Sequence, residues 1–80
     1  MKSIRLSYFA SLRDQRGVAE ETLETEADTV RELYQELAGT YEFVLTCEQL
    51  MVAINDRVGN WDDPLSDGDH LVFLTPFGGG

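Results

Sequence analysis

A single amphipathic helix that starts at a capping box most constrains what this chain can fold into. In Thr29-Val30-Arg31-Glu32, the Thr hydroxyl and the Glu carboxylate can each accept the other residue's backbone N–H, a pairing that starts helices. Apolar residues then recur at helical spacing and form one stripe: Val30, Leu33, Tyr34, Leu37 and Ala38. Gly39 is the predicted end of the helix. Because one apolar stripe must be buried against another element, the remaining segments are expected to form a sheet.

The segments on either side of this helix have the patterns of strands. Residues 2–9 alternate polar and apolar side chains, which is typical of a half-buried strand. Residues 10–16 lack that alternation and end at Gly17, which predicts a short helical turn. The other predicted strands are residues 18–25, 50–54, 58–61 and 71–74, with a tight Asn55-Asp56 turn after 50–54 and an irregular or short helical connection over 41–49. This order predicts an α+β domain with one main helix across a sheet.

Two of the predicted strands consist of uninterrupted apolar residues. Residues 51–54 and 71–74 show no alternating polar face, so they are expected to lie in the interior of the sheet. If one helix covers one face, part of the other face must be covered by something else. In a chain of 80 residues, that cover is expected to be a partner protein.

The charge of the chain excludes several classes of ligand. Six Lys and Arg residues against fifteen Asp and Glu residues give a formal net charge of -9, which repels nucleic acid and anionic membranes and favours a basic protein partner. No run of apolar residues is long enough to span a membrane. The only cysteine, Cys47, cannot form an internal disulfide, so a reducing, cytoplasmic setting is expected.

The residue constellations of a self-contained enzyme are missing. Cys47 and His70 lie in different segments, and we interpret them as a semi-buried thiol and a residue at the start of a strand. The aspartates of 62–63 and 67–69 lack the spacing of a calcium loop and are typical of turns. The glutamates of 20–26 are expected to form a solvated strand face. The chain is therefore not expected to be an enzyme on its own, nor to bind a metal or cofactor.

The chain ends in the tail Thr75-Pro76-Phe77-Gly78-Gly79-Gly80, directly after an apolar strand. Three residues without side chains can lie extended in a groove too narrow for a Cβ and deliver a terminal carboxylate into another protein. A frayed terminus without function explains the same composition equally well.

Three segments of the sequence together resemble the MoaD/ThiS family of sulfur carriers, and within it the molybdopterin synthase small subunits. They are IRLSYFASLRDQRG, VRELYQELAGTY and VAINDRVGNWDDPLSDGDHLVFLTPFGGG, which cover nearly the whole chain. The resemblance implies a ubiquitin-like β-grasp fold: a mixed sheet with its first and last strands parallel at the centre, and one main covering helix. It divides the chain into a domain at residues 1–75 and a flexible glycine-rich tail at 76–80.

The resemblance also implies a function for the tail. In the family, a MoeB-like adenylyltransferase uses ATP and Mg²⁺ to adenylate the terminal carboxylate, here that of Gly80, and a sulfur-donating protein then supplies the sulfur of a thiocarboxylate. The thiocarboxylate enters a MoaE-like large subunit and donates sulfur to cyclic pyranopterin monophosphate, within a heterotetramer that makes molybdenum cofactor. The tail residues expected to seat in the partner are Gly79, Gly78, Phe77 and Pro76. Phe73 is a further candidate anchor for a partner and fits a core position equally well.

Other functions remain open from the residues alone. A carrier of the same kind could serve thiamine synthesis or a tungsten cofactor. A ubiquitin-like modifier would join Gly80 to lysines of other proteins, and a plain interaction module would leave its carboxylate unmodified.

Overall fold

The computed structural model describes residues 1–74, and only the backbone of Ala10 and Ser11. Its elements, in chain order, are β1 (Lys2–Tyr8), α1 (Ala10–Arg16), β2 (Glu20–Thr25), α2 (Val30–Tyr41), a 3₁₀ helix (Cys47–Gln49), β3 (Met51–Ile54), β4 (Arg57–Val58) and β5 (His70–Leu74). The predicted boundary at residue 75 and the tail at 76–80 lie outside the described residues. No helix in the described part of the chain is long and apolar enough to cross a membrane.

The strands form one mixed sheet in the order β2-β1-β5-β3-β4. The first and last strands, β1 and β5, pair in parallel, and the other neighbours pair antiparallel. Each of the two uninterrupted apolar segments, now β3 and β5, has a neighbour on both sides. Both predictions, a mixed α+β sheet and interior apolar strands, are confirmed.

Helix α2 begins at the predicted capping box and ends later than predicted. The Glu32 backbone N–H donates to Thr29 Oγ1 at 3.2 Å, and the Thr29 N–H donates to Glu32 Oε2 at 3.1 Å. The prediction that Gly39 ends the helix is wrong: the helix continues to Tyr41, and Glu42 takes the left-handed cap conformation with φ 55°. A helical glycine weakens a helix without breaking it. The extra turn lets Tyr41 pack against the core.

The core lies between α2 and one face of the sheet. Helix α2 contributes Val30, Leu33, Tyr34 and Leu37, and β1 contributes Ile4, Leu6 and Tyr8. Leu12 of α1 and Cys47 of the 3₁₀ helix belong to the same buried cluster. All the helices therefore supply side chains to this one core.

Two of the predicted turns are confirmed, and one predicted strand is shorter than expected. Gly17 caps α1 with φ 88°, and Asn55 and Asp56 both have positive φ, as in a type I′ hairpin turn. The predicted strand at 58–61 is wrong beyond Val58, because β4 spans only Arg57–Val58. The chain leaves the sheet there, and the Trp61 ring stacks on Phe73 with ring centroids 5.8 Å apart.

Candidate functional site

The face of the sheet opposite the core is the candidate functional site, and we call it the open face. Side chains alternate along β5: Leu71 and Phe73 are buried in the core, while Val72 and Leu74 on the other side are partly exposed. The strand pairing brings the following residues together on the open face: Arg5, Ser7, Met51, Ala53, Val58, His70, Val72 and Leu74. The expectation of an incompletely covered sheet therefore holds for residues 1–74.

One half of the open face is an apolar patch, formed by Met51, Ala53, Val58, Val72 and Leu74. Ala53 pairs with both Val58 and Val72, and Met51 pairs with Leu74, so the five residues occupy two adjacent rows of the sheet. Val58 is 73% exposed and Met51 38% exposed. Adjacent strands lie about 4.8 Å apart, which makes these side chains neighbours and the patch continuous. A continuous exposed apolar patch is typical of a protein interaction site.

The other half of the open face is polar. Arg5 pairs with His70 in the parallel β1–β5 ladder, and Ser7 pairs with Val72 in the next row. Ser7 Oγ and His70 Nε2 are hydrogen-bonded at 2.8 Å. A nucleophilic serine also needs a group that orients the histidine, and none of the described side chains of residues 1–9 and 12–74 hydrogen-bonds the other ring nitrogen. The hydrogen bond to Ser7 orients the imidazole of His70 on the sheet.

Only one of the predicted site residues lies in the described part of the chain, and its assignment changes. Phe73 is fully buried, and its ring contacts those of Tyr8, Tyr34 and Trp61, with centroids 5.2 to 6.2 Å apart. Phe73 as a partner-binding residue is therefore corrected to a core residue, because its position on β5 points toward α2. Gly80, Gly79, Gly78, Phe77 and Pro76 lie outside the described residues. The chain continues toward them from Leu74, which belongs to the apolar patch.

Comparison with known proteins identifies the family. The ThiS family matches residues 6–80. The chain belongs to the ThiS family. This ThiS-family chain is 30% identical, over 80 residues, to the molybdopterin synthase sulfur carrier subunit of Escherichia coli K12. The alignment covers 96% of this chain and 99% of that protein.

Two solved structures extend the likeness to three dimensions. The putative molybdopterin converting factor subunit 1 of Pyrococcus furiosus is 30% identical with a TM-score of 0.78, over 95% of this chain and 99% of that one. The second structure is a complex of subunits 1 and 2 of the molybdopterin-converting factor of Helicobacter pylori. Its matched chain is 26% identical to this chain with a TM-score of 0.60, and the match covers 98% of this chain and 99% of that one. The resemblance to MoaD and the ubiquitin-like β-grasp fold are confirmed.

The thiol of the ThiS-family chain lies on the opposite side of the molecule from the open face. Cys47 is 8% exposed, and burial raises the pKa of its thiol, although the nearby Arg31 acts in the other direction. It borders a 280 Å³ groove whose lining includes Tyr34, Phe43 and Leu45. Cys47 is thus more buried than the semi-buried thiol that we expected, and its raised thiol pKa opposes nucleophilic reactivity.

One of the glutamates expected in solvent is instead part of a partly buried hydrogen-bond network. The Glu21 carboxylate accepts hydrogen bonds from the Tyr8 hydroxyl at 2.6 Å and from Arg16 Nε and Nη2, each at 2.8 Å. The bond from Arg16 lowers the pKa of Glu21, and burial, assisted by Glu21, raises the pKa of Tyr8. The prediction of a solvated face is wrong for Glu21, because its side chain lies on the core side of β2. These hydrogen bonds connect α1 to β1 and β2 on the side of the sheet opposite the open face.

Sequence reasoning missed the grouping of Arg5, Ser7 and His70 on one face. Ser7 and His70 are 63 residues apart, and no spacing rule connects a first strand with a last strand. Alternation within each strand does predict that Arg5 and Ser7 share a face. Which face His70 joins depends on the parallel register of β5.

Proposed function

We propose that this chain is a sulfur carrier, the small subunit of a molybdopterin synthase, and that the carboxylate of Gly80 carries the sulfur. The observation that supports this most directly is the family match, which runs through residue 80 and so includes the glycine tail. The chain also aligns with 99% of the E. coli sulfur carrier subunit.

The chemistry of the proposal begins with activation of the terminal carboxylate. A free carboxylate is a poor acyl donor because its leaving group would be an oxide ion. In the first step, a carboxylate oxygen of Gly80 attacks the α-phosphorus of ATP on a MoeB-like adenylyltransferase, with Mg²⁺ bound there, and pyrophosphate leaves. A hydrosulfide ion supplied by a sulfur-donating protein then attacks the acyl carbon of Gly80. AMP leaves with the bonding electrons, and a thiocarboxylate remains.

The second half of the proposal is transfer of that sulfur in a large subunit. Gly79 and Gly78 have no Cβ and can pass through a narrow channel, with Phe77 and Pro76 seated at its entrance. Two such transfers to cyclic pyranopterin monophosphate would complete a dithiolene. The H. pylori complex of subunits 1 and 2 supports a large-subunit partner for this chain, and we propose the heterotetrameric assembly of the family.

In this proposal the folded domain carries and presents the tail, and the partner enzymes supply the catalytic groups. Strand β5, from which the tail continues, is hydrogen-bonded to β1 on one side and to β3 on the other. A central strand held from both sides gives the tail a fixed origin. The apolar patch, which includes Leu74, would contact the partner and position the domain on it.

The direct test is mass spectrometry of the C-terminal peptide. The protein is incubated with the adenylyltransferase of the same organism, ATP, Mg²⁺ and a sulfur source, and we expect one oxygen of Gly80 to be exchanged for sulfur. Because oxidation of Met1 or Met51 adds nearly the same mass, the change must be localised to Gly80 and must react with an alkylating agent. An unmodified Gly80, when the adenylyltransferase is active on another carrier, would refute the proposal.

A substitution in the tail tests the narrow channel. Gly79→Val is expected to leave the thermal unfolding of the domain unchanged and to abolish sulfur transfer, because the branched side chain cannot enter the channel. Gly39→Val is the matched control, since a Cβ at this exposed position of α2 meets no atom within 4 Å. Full transfer by the Gly79 variant would contradict the threading of the tail.

A further inference from the structure

We propose that Arg5 selects the partner of the open face, by binding a carboxylate that stands at the edge of an apolar area on the partner's surface. This inference rests on the proposed function and names the chemistry of the surface that receives the carrier. It assigns a role to a residue that neither the tail chemistry nor the core requires.

The distribution of charge in the chain shows which cations a partner could use. The net charge is -9, and the six Lys and Arg residues are far outnumbered by acids. Within residues 1–74, three of these cations form ion pairs: Lys2 with Asp28, Arg16 with Glu21 and Arg31 with Asp62. Arg5, Arg13 and Arg57 belong to none of these pairs, and of these three exposed cations only Arg5 lies on the open face.

The position of Arg5 on the sheet is also specific. It lies on β1, one of the interior strands, and its Cα pairs with His70 on β5 and with Thr22 on β2. The acids that share this face, Glu20 and Glu24, are diagonal to Arg5 on the edge strand β2, and both are exposed. An exposed diagonal pair of this kind contributes little, so the guanidinium remains available to a partner.

Arg5 borders the apolar patch. Val72 of the patch pairs with Ser7, which is two residues from Arg5 on the same strand and the same face. Protein interfaces commonly have an apolar centre and a charged rim, and arginine is enriched among the residues that dominate their energetics. The planar guanidinium can bind a carboxylate with two parallel hydrogen bonds, which gives geometric selectivity that a lysine lacks.

Arg5 therefore places a positive charge beside the apolar patch of a chain whose net charge is negative, with Glu20 and Glu24 farther out on the edge strand β2. The net negative charge attracts basic surfaces at long range, whereas Arg5 favours a carboxylate at contact distance. A partner with an apolar area bordered by a lysine or arginine would be disfavoured, because two like charges would face each other at contact distance. A partner with an aspartate or glutamate at that place would be accepted.

The test is calorimetric titration of the large subunit of the same organism with three variants of the carrier. Arg5→Glu is expected to weaken binding about tenfold or more, and Arg5→Gln by a smaller factor. Arg57→Glu is the matched control: it makes the same charge reversal at an exposed cation on β4, whose partner Ile54 lies on the core side of the sheet. Its affinity is expected to stay within about twofold of the wild type. Thermal unfolding establishes that all three variants are folded.

A charge swap in the partner completes the test. Exposed aspartates and glutamates of the large subunit are changed to lysine one at a time, and one of these variants is expected to restore binding of Arg5→Glu. Equal affinities of the wild type and Arg5→Glu, or equal losses with Arg5→Glu and Arg57→Glu, would overturn the role of Arg5 and leave the carrier function intact. A wild-type chain that acquires no sulfur on Gly80 and does not bind the large subunit would overturn both.

Discussion

The two faces of the sheet are built from the same strands and have different roles. On β5, Leu71 and Phe73 are fully buried against α2, while Val72 and Leu74 between and after them remain partly exposed. Strands β1, β3 and β5 thus each supply the core with one set of alternating residues and the open face with the other. A domain of this size can therefore expose an apolar surface without giving up its core.

The core face of the sheet stabilises the fold, and the open face is available for binding a partner. On the core face, the rings of Tyr8, Tyr34, Phe43, Trp61 and Phe73 form one aromatic cluster. On the open face, Val58 is 73% and Met51 38% exposed, and the part of their apolar surface that stays in solvent contributes nothing to folding. Substitutions on the core face should change the free energy of unfolding, and those on the open face should change association.

The largest expected effect is on the core face at Phe73. Phe73→Ala should lower the free energy of unfolding by about 3–5 kcal/mol, because it leaves a cavity in the aromatic cluster. Urea denaturation measures this loss. The neighbouring Val72→Ala should cost about 1 kcal/mol, since Val72 is only partly buried on the other face. Equal losses at the two positions would contradict the division between the faces.

The second prediction concerns the helix that covers the core face. Leu33 is 1% exposed in the apolar stripe of α2, so Leu33→Ala should cost about 2–5 kcal/mol. Gln35→Ala, two residues further on the exposed side of the helix, should change stability by less than about 0.5 kcal/mol. Chemical denaturation measures the free energy of unfolding of both variants. A small loss of stability in Leu33→Ala would mean that α2 does not pack on the sheet as described.

A third, intermediate effect is expected at the rim of the core face. Glu21→Gln removes a carboxylate that is hydrogen-bonded to Tyr8 and Arg16, and should cost about 1–3 kcal/mol at neutral pH. Folding lowers the pKa of Glu21, so its stabilisation is present above the pKa of the unfolded chain and is lost as the pH falls through the folded value.

The pH dependence of stability checks that assignment. The difference between the wild type and Glu21→Gln should be constant at neutral pH and close as the solution is acidified. Glu24→Gln is the control, because Glu24 is exposed on the same strand. A difference at Glu21 that persisted unchanged in acid would show that the loss comes from packing and not from the ionised carboxylate.

The smallest effect on stability is expected on the open face. Val58→Ser should change the free energy of unfolding by less than about 0.5 kcal/mol, because Val58 is 73% exposed. The same variant should weaken binding to the large subunit, since it removes an apolar side chain from the patch. Denaturation and calorimetry on one preparation separate the two quantities. A stability loss comparable to that of Leu33→Ala would place Val58 in the core.

Local patterns in the sequence predicted most of the secondary structure. The capping box at Thr29 and Glu32, the cap at Gly17 and the Asn55-Asp56 turn each depend on atoms a few residues apart, and all three are confirmed. The predicted helix end at Gly39 is wrong for a related reason. A glycine permits a helix to end, and packing of the next turn decides whether it does.

The sequence by itself determined the periodicity of each element and the class of the fold, because side chains alternate along a strand and recur along a helix by covalent geometry alone. Only the tertiary structure decided that Phe73 faces α2, that Ser7 meets His70 and that Glu21 joins Tyr8 and Arg16. The parallel register of β1 and β5 places Ser7 one row from His70 on the same face, within hydrogen-bonding distance. These contacts follow from which strand lies beside which and in what register, and burial of the whole core sets that arrangement.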